Sequence, residues 1–152
     1  MADYQIKDVP VIPQGNLDMA CWFFSAWMIY KYQTSKNLGA EQVDQKSIER
    51  GIDPEELRPT LTKVGFKPVA PDDGAVTWDE KNIYALLRQA GPLWCAGTFG
   101  KGDSDHVIVL TGIKGDKVHY NDPWGTGSRS TKSLSWFAQH IETALYYPMM
   151  RV

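Results

Sequence analysis

Residues 14–26 read QGNLDMACWFFSA, a polar loop that leads directly into a cysteine and three large aromatic residues. From Ala20 to about Tyr32 the chain is apolar on almost every side and contains neither proline nor glycine. A helix that is hydrophobic all round belongs in the interior of a domain, and this stretch is too short to span a bilayer. The pattern therefore predicts a central buried helix that carries Cys21 in its first turn.

The composition is that of a soluble globular protein. Hydrophobic residues make up 43% of the 152 residues and charged residues 22%, which suits a single domain over residues 1–152. The formal net charge is −2 and no basic run is present, so we expect neither nucleic acid nor an anionic membrane as a partner. We expect the chain to be a monomer.

The N-terminal stretch MADYQIKDVPVIPQG has no cationic segment followed by an apolar one, so it does not resemble a secretory signal. No window of the sequence is apolar for long enough to cross a bilayer. Proteins that dedicated secretion machines deliver also lack such a signal. The sequence therefore leaves open both a cytoplasmic location and delivery into another cell.

Two more helices are predicted before the middle of the chain. The first covers about Ala40–Arg50. The second covers about Pro54–Val64, with Asp53 as its N-cap, proline at its first position and Gly65 as its stop. Pro59 falls inside the second helix, which predicts that this helix is kinked or split.

A fourth helix is predicted over Thr77–Gln89, with Thr77 as N-cap, Glu80 completing a capping box and Gly91 as stop. After Gly91 the spacing of the hydrophobic residues changes to the one typical of strands, and Gly115-Asp116 is predicted to form a hairpin turn. Three strands, a short helix and a final strand are predicted at Leu93–Thr98, His106–Ile113, Lys117–Asn121, Leu134–Glu142 and Ala144–Met149. A helical first half packed on a mostly antiparallel sheet from the second half makes an α+β fold.

The two cysteines lie in different contexts, and we expect both to be reduced. Cys21 stands at the N-terminus of the first predicted helix, where the macrodipole and the free backbone N–H groups favour a thiolate. Cys95 lies in the apolar stretch GPLWCAG, which is typical of a buried structural residue. No CxxC motif or close His/Cys pair is present, so we expect no metal site and no cofactor.

A reactive thiol needs an imidazole to take its proton, and the chain offers three histidines. A surface or structural role is the commoner one for any single histidine. His106 opens the strand HVIVLTGI after the polar loop GKGDSD, so the strand holds its backbone while its side chain faces a cleft. His119 alternates with apolar neighbours and is expected to face solvent, and His140 lies on a short amphipathic helix.

Asp122 ends the strand that pairs with the His106 strand across the Gly115 turn, so its carboxylate is expected beside the imidazole. An Asp-Pro pair also commonly starts a turn, and for Asp122 alone the two interpretations are equally supported. The presence of Cys21 and His106 favours the first, a triad of thiol, imidazole and carboxylate.

Three blocks of the sequence resemble the signature blocks of papain-like cysteine peptidases: a glutamine followed by CWFFSA, a histidine before a run of β-branched residues, and DPWG. Papain has Cys-Trp-Ala-Phe-Ser-Ala in the first block and Asn-Ser-Trp-Gly in the last. The resemblance implies a compact papain-like fold, with Cys21 as nucleophile and His106 as general base and acid. It also implies that Asp122 orients His106, that Gln14 belongs to the oxyanion hole, and that Trp124 shields the His106–Asp122 hydrogen bond from water.

Trp22, which follows the nucleophile in the same block, is carried over as a supporting residue and is expected in the core. The chain departs from papain in having aspartate for asparagine, in lacking the disulfide cysteines, and in having one more residue between Gln14 and Cys21. The chain resembles the bacterial branch of the family more than papain in its compactness, in Asp122 and in the stretch GPLWCAG. That branch includes the avirulence-protein type proteases of plant pathogens and the peptidases that remove bacteriocin leaders.

The resemblance implies a cysteine endopeptidase that cuts a specific target protein, with a small residue such as glycine before the cut. It further implies a delivered effector or antibacterial toxin, active in the cytoplasm of a target cell, with a cognate inhibitor or immunity protein as a second partner. The same thioester chemistry leaves open an amidase, a deamidase or an acyltransferase. A papain-like scaffold kept as a non-catalytic binding module is a third alternative, which the presence of all the candidate residues disfavours.

Overall fold

The computed structural model describes residues 3–39, 42–69, 77–142 and 149–151. Within them the chain forms five helices: α1 (Cys21–Thr34), α2 (Gln45–Arg50), α3 (Pro54–Thr62), α4 (Glu80–Ala90) and α5 (Leu134–His140). It also forms seven strands: β1 (Tyr4–Gln5), β2 (Phe66–Pro68), β3 (Leu93–Gly97), β4 (His106–Lys114), β5 (Lys117–Asp122), β6 (Ser128–Ser133) and β7 (Met149–Arg151). No helix of the described residues has the length and apolar character needed to cross a membrane.

The seven strands form one antiparallel sheet in the order β2-β7-β3-β4-β5-β6, and β1 pairs with the far end of β4. β4 is the central strand, and each of its residues from His106 to Ile113 is buried. It pairs with β3 on one side and with β5 on the other. The predicted α+β fold is therefore confirmed, although the short strands β1 and β2 add residues of the first half to the sheet.

α1 packs against β3 and β4 and occupies the centre of the core, as predicted. Its buried residues lie on several sides of the helix: Trp22, Phe23, Phe24, Ser25, Ala26, Met28 and Ile29. Two hydrogen bonds hold its first turns on the sheet. Ser25 Oγ donates to the Val107 carbonyl at 3.2 Å, and Trp94 Nε1 donates to the Trp22 carbonyl at 2.9 Å. Because Val107 follows His106, these bonds hold the start of α1 beside the start of β4.

The first two helices differ from their predicted bounds. α1 continues to Thr34 and ends at Ser35, which adopts the left-handed conformation that often closes a helix. α2 begins only at Gln45, and before it the Gly39 N–H donates to the side-chain oxygen of Gln42 at 3.0 Å. Ala40, where this helix was predicted to begin, lies outside the described residues.

Pro59 does not split α3, which is one continuous helix over Pro54–Thr62. α4 is capped by Asp79 rather than Thr77, since the Asp79 carboxylate accepts the Asn82 N–H at 2.8 Å. The predicted last strand, Ala144–Met149, falls outside the described residues except at Met149, where β7 begins.

Gly97 lets the chain after α5 pass close to the end of β3. An ideal Cβ on Gly97 would lie 2.3 Å from the His140 carbonyl oxygen and 2.8 Å from the Phe99 ring. The Thr98 N–H donates to the same carbonyl at 2.9 Å, so the close approach also makes a hydrogen bond.

We expect Gly97→Ala to lower the free energy of unfolding by about 1–3 kcal/mol, because the added methyl group displaces backbone. Urea unfolding measures this loss. Gly39→Ala, whose methyl group meets one ordinary contact among the described residues, is the control, and equal losses in the two variants would contradict the prediction.

Candidate active site

Cys21 is the first residue of α1, and its thiol is free and half-buried. The backbone N–H of a first helical residue has no acceptor within its helix, and the N-cap residue, Ala20, offers no side-chain cap. The sulfur therefore lies at the end of α1 where unpaired N–H groups and the macrodipole favour an anion.

His106 is the first residue of β4, where it is buried and pairs with Gly97 of β3. The register of the hairpin pairs Val109 with Asn121, so Asp122 lies one pair nearer to the start of β4. From there its Oδ1 accepts a hydrogen bond from His106 Nε2 at 2.6 Å. The other ring nitrogen, Nδ1, is left for a different partner.

The Cys21 side chain is a second hydrogen-bond partner of the imidazole, and the pKa values of His106 and Asp122 are both shifted by these contacts. Burial lowers the pKa of His106, but hydrogen bonds to Asp122 and Cys21, with the negative charges of both, outweigh it and raise the pKa to about 9. Burial also works to raise the pKa of Asp122, but the hydrogen bonds from His106 and from the Trp124 backbone, with the imidazolium charge, lower it. An ionised Asp122 and a protonated His106 are therefore the favoured states at neutral pH.

Trp124 lies on the turn that follows β5. Its backbone N–H donates to Asp122 Oδ1 at 3.0 Å, so the oxygen that binds His106 accepts two hydrogen bonds. The Trp124 ring stands edge-to-face against the His106 ring, with the ring centroids 6.2 Å apart. The ring itself is 58% exposed, so it borders the site rather than burying it completely.

Gln14 lies on the loop before α1 and is almost fully buried. The backbone N–H groups of Gln14 and Gly15 donate to the carbonyl oxygens of Pro123 and Gly125 at 2.8 and 2.9 Å. These bonds hold the loop against the turn that follows β5. The side-chain nitrogen of Gln14 donates to the Leu17 carbonyl at 2.9 Å, which leaves the second N–H of the amide for another acceptor.

The family model described as papain-like cysteine protease AvrRpt2 matches residues 4–142, which is most of the chain. The chain belongs to this family. It is therefore a papain-like cysteine protease, a hydrolase, and its substrates are proteins. The resemblance seen in the sequence is confirmed, together with the fold that it implies.

A groove of the protease passes Cys21. Two cavities, of about 190 and about 740 Å³, share Asp18, Cys21, Asp105 and His106 in their linings. The thiol and the imidazole thus lie where the two cavities meet.

Two other residues singled out in the sequence, Trp22 and Cys95, are buried. Trp22 is buried in the core, and its Nε1 has no hydrogen-bond partner among the described residues. Cys95 is fully buried in β3, and burial raises the pKa of its thiol far above the usual range. Across the described ranges, no group of three or more His, Cys, Asp or Glu side chains is arranged to hold a metal ion.

The other two histidines of the protease have different partners. His119 is half-buried on β5 rather than fully in solvent, and burial, Lys114 and Lys117 lower its pKa. His140 ends α5, and its side chain hydrogen-bonds to Asp103 on the loop before β4.

Sequence reasoning missed Ser25, Asp18 and Asp105. Ser25 holds the helix that carries Cys21, and the signal was available, since it is a polar residue about one turn after the cysteine in an otherwise apolar helix. Asp18 and Asp105 line the junction of the two cavities. Charged residues are common on loops, so nothing in the sequence distinguishes these two.

Proposed function

We propose that the protease is an endopeptidase with a Cys21–His106–Asp122 triad. Cys21 is the nucleophile, His106 is the general base and acid, and Asp122 orients the imidazole and stabilises its charge. The Gln14 amide and the Cys21 backbone N–H form the oxyanion hole. Trp124 limits the access of water to the His106–Asp122 hydrogen bond.

The pairing of His106 is the observation that carries this proposal. Asp122 takes one ring nitrogen at 2.6 Å, and the hydrogen bond to Cys21 is left to the other. With its pKa raised to about 9, His106 is protonated at neutral pH, and a thiolate on Cys21 is its natural counter-charge. These contacts support a resting thiolate–imidazolium pair.

The proposed reaction follows from that pair. The Cys21 thiolate attacks the substrate carbonyl carbon, and the negative charge moves to the carbonyl oxygen. When this tetrahedral intermediate collapses, the bond to nitrogen breaks and His106 gives its proton to the leaving amine. A thioester remains on Cys21. Water then attacks it while His106 takes a proton from the water, and the acid product leaves as the thiolate–imidazolium pair is restored.

Loss of the Gln14 amide tests the oxyanion hole. We expect Gln14→Ala to lower kcat by about 100- to 1000-fold with little change in KM, because the lost donor acts on charge that develops only in the transition state. Steady-state kinetics on a peptide substrate measures the effect. Gln45→Ala on the exposed surface of α2 is the control, and an equal loss in both variants would point to a general folding defect instead.

Replacement of the Asp122 charge is expected to narrow the pH range of activity. The carboxylate favours protonated His106, so Asp122→Asn keeps an acceptor but removes the charge and lowers the pKa of His106, by about one unit or more. Because the active form needs a protonated imidazole, the basic limb of the kcat/KM profile moves to lower pH by the same amount. Asp116→Asn, on the exposed hairpin turn, should leave the profile unchanged. A basic limb that stays in place in Asp122→Asn would refute this role.

We propose further that the protease cuts a limited set of sites in a target protein, with a small residue such as glycine before the cut. Mass-spectrometric detection of new N-termini in a cell lysate, comparing the active protein with Cys21→Ala, identifies the target and the cleavage sequence. Preference for large residues before the cut would overturn the glycine expectation. A deamidation mass shift without chain cleavage would replace the endopeptidase proposal with an amidase.

The proposed setting is delivery by a specialised secretion system into the cytoplasm of a target cell, where the monomeric protease acts as an effector or antibacterial toxin. A cognate inhibitor protein then protects the producing cell. This setting is what the sequence resemblance to delivered bacterial proteases implies. Expression in the bacterial cytoplasm tests it: the wild type should arrest growth and Cys21→Ala should not, and a captured inhibitor should restore growth.

A further inference from the structure

One side-chain contact joins α5 to the loop of residues 100–105, which borders the smaller cavity beside Cys21. His140 Nε2 lies 3.2 Å from Asp103 Oδ1. His140 Nδ1 lies 2.6 Å from the carbonyl oxygen of Trp136, one helical turn earlier. The imidazole is therefore placed between two hydrogen-bond acceptors.

The contact with Asp103 has a defined direction. A carboxylate oxygen only accepts, so this contact is a hydrogen bond when Nε2 of His140 carries hydrogen. The ring is 18% exposed and packs on the Trp136 ring with the centroids 5.3 Å apart, so its position is restricted. Its partner Asp103 is 79% exposed.

His140 also belongs to the other wall of the groove. It lines the larger cavity together with the two residues that follow it. Its carbonyl accepts the Thr98 N–H at 2.9 Å, and the Glu142 N–H donates to the Ala96 carbonyl at 2.9 Å, so this wall is fastened to β3. The His140–Asp103 bond therefore connects the wall of the larger cavity to the loop that lines the smaller one.

The neighbouring charges are mixed in sign. Lys101 and Asp105 lie on the same loop as Asp103, and Glu142 follows α5. From β6, Lys132 places its Nζ 5.5 Å from the Trp136 ring centroid. Asp103 is the carboxylate that contacts the His140 ring, so the proton on Nε2 decides whether this connection exists.

We propose that His140 is a positioning residue, which holds the 100–105 loop against α5 and so sets the affinity of the groove for the substrate chain. This inference rests on the proposed endopeptidase function and takes the groove as the place where the substrate chain binds. His140 acts through Asp103 and not on the reacting atoms. Loss of the connection is therefore expected in KM, while the Cys21–His106 chemistry that determines kcat continues.

Two variants and their combination test the connection. His140→Phe keeps a ring against Trp136 but has no N–H donor, and Asp103→Ala removes the acceptor. Each is expected to raise KM about two- to fivefold with kcat unchanged, the range of an exposed ion pair. The double variant is expected to raise KM no further than either single one, since both remove the same bond. Additive effects, or no change in KM, would overturn the proposal. His119→Phe, on β5, is the matched control and should keep the wild-type KM.

A spectroscopic measurement tests the hydrogen bond directly. In ¹⁵N NMR, Nε2 of His140 is expected to carry hydrogen in the wild type and equally in inactive Cys21→Ala, because the Asp103 carboxylate only accepts. An Nε2 without hydrogen overturns the inference. If instead Cys21→Ala retained full activity, the proposed triad would fail whatever the state of His140.

Discussion

Replacement of Cys21 by alanine is expected to abolish proteolysis, with kcat falling by about 10⁴- to 10⁶-fold. The reason is that the thioester has no alternative site among the described residues. Cys95 is fully buried, and burial raises the pKa of its thiol, so it is neither accessible nor ionised. Cleavage of a labelled protein substrate measures the loss, with circular dichroism to show that the variant remains folded. Cys95→Ala is the matched control and should retain wild-type kcat.

The same difference between the thiols is expected without any substrate. Iodoacetamide near neutral pH should alkylate Cys21 rapidly and leave Cys95 unmodified until the chain is unfolded, because the thiolate is the reactive form. Peptide mapping after short exposure identifies the modified residue. Preferential labelling of Cys95, or full activity after complete alkylation of Cys21, would contradict the assignment of the nucleophile.

The second large effect is expected for His106→Gln, with kcat on a peptide bond falling by about 10⁴-fold. Two functions disappear together: the imidazolium that stabilises the thiolate, and the acid that protonates the leaving amine. A p-nitrophenyl ester separates them, because its leaving group departs without a proton. We therefore expect His106→Gln to lose less activity on the ester than on the peptide.

The control for this variant is His119→Gln, which replaces a half-buried histidine on the same hairpin and should leave kcat on both substrates unchanged. Equal losses on the ester and on the peptide would show that His106 supports only the thiolate. Retention of activity on both would remove His106 from the mechanism.

The sequence predicts those parts of the fold and site that depend on local patterns. The burial of α1 can be predicted because an uninterrupted apolar stretch is stable only in the core. The contact of Asp122 with His106 can be predicted because the Gly115-Asp116 turn places their two strands side by side. The shift in register of the hairpin between Leu110 and Gly112 cannot be predicted, since no residue in that stretch of β4 indicates it.

Other elements have no local signal. β6 reads SRSTKS, which contains no apolar residue, because this edge strand gains its stability from pairing with β5 and not from burial. β1 has only two residues and is defined entirely by its partners on β4. The sequence offers two N-cap residues for α4, Thr77 and Asp79. The path of the chain, which the sequence does not predict, makes Asp79 the N-cap. Contacts between residues far apart in the chain therefore determine these elements, which neither composition nor hydrophobic period predicts.

His106 and Asp122 stand on neighbouring strands of one hairpin, whereas Cys21 reaches them on a helix from the distant first part of the chain. Before α1 docks, the sulfur has no imidazole beside it and behaves like the thiol of any flexible peptide. Catalytic competence therefore requires that α1 has docked on the sheet. In the delivery proposed above, a chain that crossed a secretion channel in extended form would be inactive in transit and would regain activity only on refolding.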